Sequence, residues 1–115
     1  MTTPRYPKEP REVFESPIIQ GVWESIAYNF NFANCGVTTI TGETAAVYEL
    51  LAGDMIGPDV TADVMPNGSA TVNGLILTTP PLTNLTAGQK YAMYGRVTHD
   101  GGQKTELLCR VFARA

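Results

Sequence analysis

The chain is poor in the residues that carry chemistry. Among its 115 residues there is one histidine, His99, and there are two cysteines, Cys35 and Cys109, far apart in sequence. No nucleophile motif such as GxSxG accompanies His99, which reads as a solvated residue beside a turn, so no catalytic residue and no enzyme are expected. One His and two distant Cys give no metal-ligand spacing, and the series Asp54, Asp59, Asp63 lacks the calcium-loop pattern, so no metal site is expected. There is no Gly-rich phosphate loop, and no cofactor is expected. No apolar run approaches the roughly 18 residues of a membrane span, and the start MTTPRYPKEPREV lacks the apolar region of a signal peptide. The expectation is a chain made in the cytosol, with no membrane partner. There a reduced state is expected for both cysteines, as small buried hydrophobes. Lys and Arg are missing altogether from Glu12 to Gln89, a span holding eight acids, and the pI is near 5.0. A nucleic-acid binder needs the opposite, clustered basic charge and a high pI, so no nucleic-acid partner is expected.

What is present is alternation. Within Thr86 to Ala115, two runs of alternating polarity flank His99-Asp100-Gly101-Gly102, the form of a β-hairpin. A three-residue loop, Asp100-Gly101-Gly102, sets Val97 opposite Thr105, Gly95 opposite Leu107, Met93 opposite Cys109 and Tyr91 opposite Val111, so the apolar parities agree. It also pairs Arg96 with Glu106 and gives Gly102 the positive φ that a type I turn plus bulge requires. Just before it, Leu85 stands six residues ahead of Tyr91 across a Gly-containing turn. This is the spacing of a tyrosine corner, and it resembles the approach to the penultimate strand of immunoglobulin-like and fibronectin-like sandwiches.

Elsewhere, Tyr28, Phe30 and Phe32 alternate with small or polar residues as one face of a strand, and Val37–Ile40 reads as a second short strand. Residues 43–52 fit either a helix or a strand, with the all-β surroundings favouring a strand. Residues 59–74 read as a second hairpin on the loop Pro66-Asn67-Gly68, pairing Val64 with Ala70 and Ala62 with Val72. About seven short strands at this spacing describe an all-β, immunoglobulin-like or fibronectin-like β-sandwich over residues 19–115. Residues 1–18 hold Pro4, Pro7, Pro10 and Pro17 and read as an extended arm. The arm is either a solvated tail or a docking arm; Tyr6, Val13, Phe14, Ile18 and Ile19 favour docking on another chain. The outward parity of the hairpin carries Tyr94 opposite Leu108, with Phe112 two pairs further on, bordered by Arg96, Arg110 and Arg114. Either the second sheet or a neighbouring subunit covers that much apolar side chain, and an aromatic centre ringed by Arg favours a neighbour. The acids Glu43, Glu49, Asp54, Asp59 and Asp63 either keep the domain soluble, the default, or form a surface for a cationic partner such as the basic rim of the next copy.

The segments PKEPREV, YNFNF, DVTADVMPNGSATVNGLIL and LTAGQKYAMYGRVTHDGGQKTELLCRVFARA together resemble a family of small tailed-bacteriophage virion proteins, commonly labelled fibre-tail adaptors. The likeness covers most of residues 4–115 and is most specific from Leu85 to Leu107. It implies an immunoglobulin-like, non-enzymatic structural protein, present in several copies in a virion assembled in the host cytoplasm. Its implied partners are other virion proteins (portal, tail, fibre or major capsid protein) and itself. A tail or neck fibre adaptor is the first reading, a capsid decoration (cement) protein on the shell lattice the second, and a host-surface or carbohydrate-binding module the third.

Overall fold

The structure, a computed structural model, describes residues 12, 13 and 15–115. Its framework is the hairpin of β7 (Lys90–His99) and β8 (Gln103–Arg114), paired in the register that a three-residue loop demands, with Arg96 opposite Glu106 and Met93 opposite Cys109. The turn itself is not type I. Asp100 has φ 45° and Gly101 φ 83°, two positive values in succession as a primed turn requires, and Gly102 follows at φ 109°. Asp100 tolerates this backbone because its carboxylate is anchored: it accepts hydrogen bonds from the Thr38 N–H (2.9 Å), the Thr39 N–H (3.1 Å) and the Thr38 hydroxyl.

Among the described residues, eight strands form two sheets. Before the hairpin come β1 (Ile18–Gly21), β2 (Asn29–Asn31), β3 (Ile40–Leu51), β4 (Met55–Asp59), β5 (Thr71–Asn73) and β6 (Ile76–Thr78). The larger sheet has the order β1-β8-β7-β3-β4, with β1 parallel to β8 and the other pairs antiparallel; the smaller has the order β2-β6-β5. Residues 43–51 are therefore strand, within the single run of β3, and the expected short strand at Val37–Ile40 is only the approach to it. The core lies between the sheets. Phe30, Phe32 and Leu77 from the smaller layer meet Val47, Met93 and Val111 from the larger, all essentially without solvent contact. Burying each such side chain contributes about 1.5–3 kcal/mol, which is what holds two otherwise separate sheets together. The closest approach is at Gly95, where an added Cβ would stand 2.6 Å from Phe30 Cδ2.

The second expected hairpin does not form. Thr61–Val64 is a short helix, α1, and the strands that pair are β5 and β6, across the two-residue loop Gly74-Leu75. The cause is Thr61. Asp59 Oδ1 accepts from the Thr61 N–H (2.9 Å) and hydroxyl (2.6 Å), which holds the Asp59 carboxyl below the ordinary range, and Thr61 Oγ1 in turn accepts from the Val47 N–H at 2.9 Å. This ties the chain to β3 just where it bends, and the helical turn then buries both Val64 and Met65. Pro66 and Gly68 (φ 96°) stand in an exposed loop outside any strand.

The described part of the N-terminal segment stays on the sandwich. Glu12 bridges Leu108 in parallel, the Val13 N–H donates to the Leu108 carbonyl (2.8 Å), and the buried Ser16 Oγ accepts from the Arg110 N–H (2.9 Å). Val13 packs against the main core and is not an outward anchor. Of the other proposed anchors, Tyr6 and Phe14 lie outside the described residues. Within β1, Gln20 is fully buried with its amide satisfied: Nε2 donates to the Leu82 carbonyl (2.7 Å), and Oε1 accepts from the Tyr28 hydroxyl (2.6 Å).

Candidate functional site on the outer face of the larger sheet

Directly paired residues share a face, so the register of β1, β8, β7, β3 and β4 defines rows across the outward side of the larger sheet. Next to the tip row of Gly42, Thr98 and Lys104 comes the row Thr44, Arg96, Glu106. Arg96 Nε lies 2.9 Å from Glu106 Oε1, and the guanidinium stands over the rings of Tyr94 (4.7 Å) and Tyr48 (5.6 Å). Tyr48 and Tyr94 meet edge to face, with centroids 5.8 Å apart. Burial opposes the Arg96 charge, but hydrogen bonds to Tyr48 and Glu106 outweigh it and hold the pKa above its ordinary value.

The next rows are closed from within the chain. Leu108 and Ala92 are buried beside Leu50, with half-buried Tyr94 against them. Arg110 is not a rim residue either. Its side chain is 12% exposed and is held by Glu12 Oε2 (3.3 Å) and Asp54 Oδ2 (3.0 Å), so the turn after β3 reaches over Ala92 to β8. Of the expected interface set, Tyr94, Leu108, Arg96 and Arg110 are engaged inside the molecule. Phe112 and Arg114 remain towards the open end of the sheet, Phe112 half-buried and Arg114 exposed. Of the basic rim and the acidic middle, Arg110 and Asp54 pair within one chain.

The row at that open end is different. Ile19, Phe112, Lys90, Leu50 and Ile56 follow one another across all five strands. Ile19 is 64% exposed and Ile56 50%, while Lys90 lies 5.0 Å over the Phe112 ring. Met55, Leu51 and above all Trp23, 94% exposed in the turn after β1, add apolar surface outside the core. Ile19 is among the apolar residues that the sequence offers for docking, whereas Ile56 is not. The Ile18-Ile19 doublet at the start of β1 was a visible signal, since alternation can bury only one of two neighbours.

His99 is not a solvated loop residue: it is 2% exposed, with Nδ1 2.7 Å from Asp100 Oδ2 and Nε2 2.8 Å from Thr105 Oγ1. The order carboxylate, imidazole, hydroxyl is that of an acyl-transfer triad, but the ring is closed to solvent and Asp100 is occupied by Thr38 and Thr39. The arrangement ties the approach to β3 to the tip of the hairpin. The Thr38 hydroxyl and N–H, with His99 adding, hold the Asp100 carboxyl well below the usual carboxylate range. Among the described residues, no three of His, Cys, Asp and Glu gather as a metal cluster, and no helix is long and apolar enough to cross a membrane. Both cysteines are free thiols, Cys109 buried and Cys35 half-buried. No protein-family model matches the chain, and no curated protein matches it in sequence.

Proposed function

We propose that this chain is a non-enzymatic assembly module of a tailed-phage virion, an immunoglobulin-like sandwich that serves in several copies as a tail or neck fibre adaptor. Three features support an immunoglobulin-like arrangement: a five-stranded layer whose first strand runs parallel to its last, a facing layer of order β2-β6-β5, and a Tyr corner before β7. The observation that carries the docking role is the row Ile19, Phe112, Lys90, Leu50, Ile56, apolar at both ends and exposed there. A partner subunit that covers it removes the cost of wetting those side chains, and an acidic group on that partner meets Lys90 at its centre.

The test keeps the fold and removes the row. Ile19→Ser combined with Ile56→Ser is expected to leave a folded protein with an unchanged circular dichroism spectrum and to abolish incorporation into particles. Unimpaired incorporation of the double variant would remove this face from assembly. Imaging of particles carrying the wild-type chain distinguishes the two virion readings: a few copies at one vertex for an adaptor, many copies over the shell for a decoration protein.

A further inference from the structure

The sequence holds two Asn-Gly pairs, Asn67-Gly68 and Asn73-Gly74, and the fold places them in opposite circumstances. We propose that Asn67 is a site of spontaneous covalent modification, deamidation through a succinimide, and that Asn73 is protected from the same reaction. The chemistry needs no enzyme and no co-reactant besides water. The Gly68 backbone nitrogen attacks Asn67 Cγ; the new C–N bond closes a five-membered imide, the Gly68 amide proton is lost to solvent, and the side-chain nitrogen leaves as ammonia. Water then opens the ring at either carbonyl, leaving an aspartyl or an isoaspartyl linkage at position 67.

Reaction requires a glycine on the C-terminal side, a backbone nitrogen free of hydrogen bonds, and freedom of the Asn backbone to rotate into the attack geometry. Position 67 meets all three. The stretch Pro66–Ala70 belongs to no strand or helix, Asn67 and Gly68 are exposed, and neither the Asn67 side chain nor the Gly68 N–H has a hydrogen-bond partner among the described residues. Gly68 has φ 96° and nothing within 4 Å of where a Cβ would stand, so the residue that supplies the attacking nitrogen is itself uncrowded. Asn73 fails the third condition: it is the last residue of β5, paired with Ile76 across the hairpin, and rotating its backbone means breaking that pairing. Of the other asparagines outside the strands, Asn34 lies in the turn over residues 33–36 but is followed by Cys35, and Asn84 (φ 57°) is followed by Leu85 and donates from Nδ2 to the Asp63 carbonyl at 3.1 Å. The modification adds one negative charge in an exposed loop and leaves the core untouched.

The folded full-length chain is incubated at mildly alkaline pH, and aliquots are digested and mapped by mass spectrometry, with isoaspartyl content measured by enzymatic methylation. Modification is expected at position 67 first, faster than at position 73 by roughly tenfold, the ratio that a 1.4 kcal/mol difference in the barrier produces. In denaturant the two Asn-Gly pairs should react at similar rates, because the difference belongs to the fold. Asn67→Gln should remove the early product without changing the slow one. Equal rates at the two sites in the folded chain would overturn the proposal, as would a rate ratio that persists in denaturant.

Discussion

The Thr86 backbone N–H donates to the Tyr91 hydroxyl at 2.9 Å while the Tyr91 ring is 3% exposed, so one side chain both fills the core and closes the loop that enters β7. Leu85, 6% exposed, packs beneath that loop. Tyr91→Phe retains the ring and leaves the Thr86 N–H without its acceptor. The expected cost is about 1–3 kcal/mol in chemical denaturation, with an unchanged m value. An unaltered midpoint would mean that the hydroxyl contributes nothing to the corner.

The contact between Gly95 and Phe30 sets the spacing of the two sheets. A methyl group at 95 would lie 2.6 Å from Phe30 Cδ2 and 2.9 Å from Cγ, and the Phe30 ring, 2% exposed, is enclosed by the core. Gly95→Ala is expected to destabilise by about 1–3 kcal/mol through overpacking. Combining it with Phe30→Leu should recover part of that loss, so the two costs will not add. Strict additivity would show that the sheets are free to move apart at this point.

How much of this was legible in the sequence follows from how local each determinant is. The β7–β8 register could be read because the loop length, the alternation and the Arg96–Glu106 pair are all within one hairpin. Residues 59–74 misled because Pro66-Asn67-Gly68 and Asn73-Gly74 are both good turns, and the choice between them is made by Thr61 bonding to Val47 on a different strand. The status of Tyr94, Leu108 and Arg110 was hidden for a similar reason. Their cover comes from Glu12, Asp54 and Tyr48, brought together only when β1 joins β8 and β3 joins β7. His99 was misjudged because its partner Thr105 lies diagonally across the hairpin on the inward side, a relation that counting along the chain does not display.

The segment before β1 is predicted to contribute to stability. The Glu12 side chain is 1% exposed and faces Arg110, and Val13 joins the main core. Removing one member of a buried ion pair costs about 3–5 kcal/mol, less the share that Asp54 continues to supply to Arg110. Glu12→Ala should therefore lower the melting temperature, and deletion of residues 1–17 should lower it further. A truncated chain that melts like the full one would show that the β8 edge does not need this segment.

Alkaline pH provides the last test, because two acids, buried Cys109 and half-buried Tyr28, keep their protons longer in the folded chain than in the unfolded one. Burial pushes the Cys109 thiol from 9.0 up to about 11, and burial likewise raises the Tyr28 hydroxyl from 10.0 to about 12, with nearby Cys109 and Glu24 adding to it. Each group binds more proton when folded, so its contribution to stability is complete below the unfolded value and is lost as pH rises through the folded one. Stability should hold up to about pH 9 and then fall between pH 9 and 12, the window those two groups span. A single group titrating only in the unfolded chain gives a slope approaching about 1.4 kcal/mol per pH unit. Cys109→Ala is expected to reduce the slope between pH 9 and 11 whatever it does to absolute stability. The thiols give a second reading at neutral pH: half-buried Cys35 should react with a disulfide reagent well before buried Cys109. Equal reactivity of the two thiols in the native chain, or an alkaline slope untouched by Cys109→Ala, would contradict the burial of this side chain between the sheets.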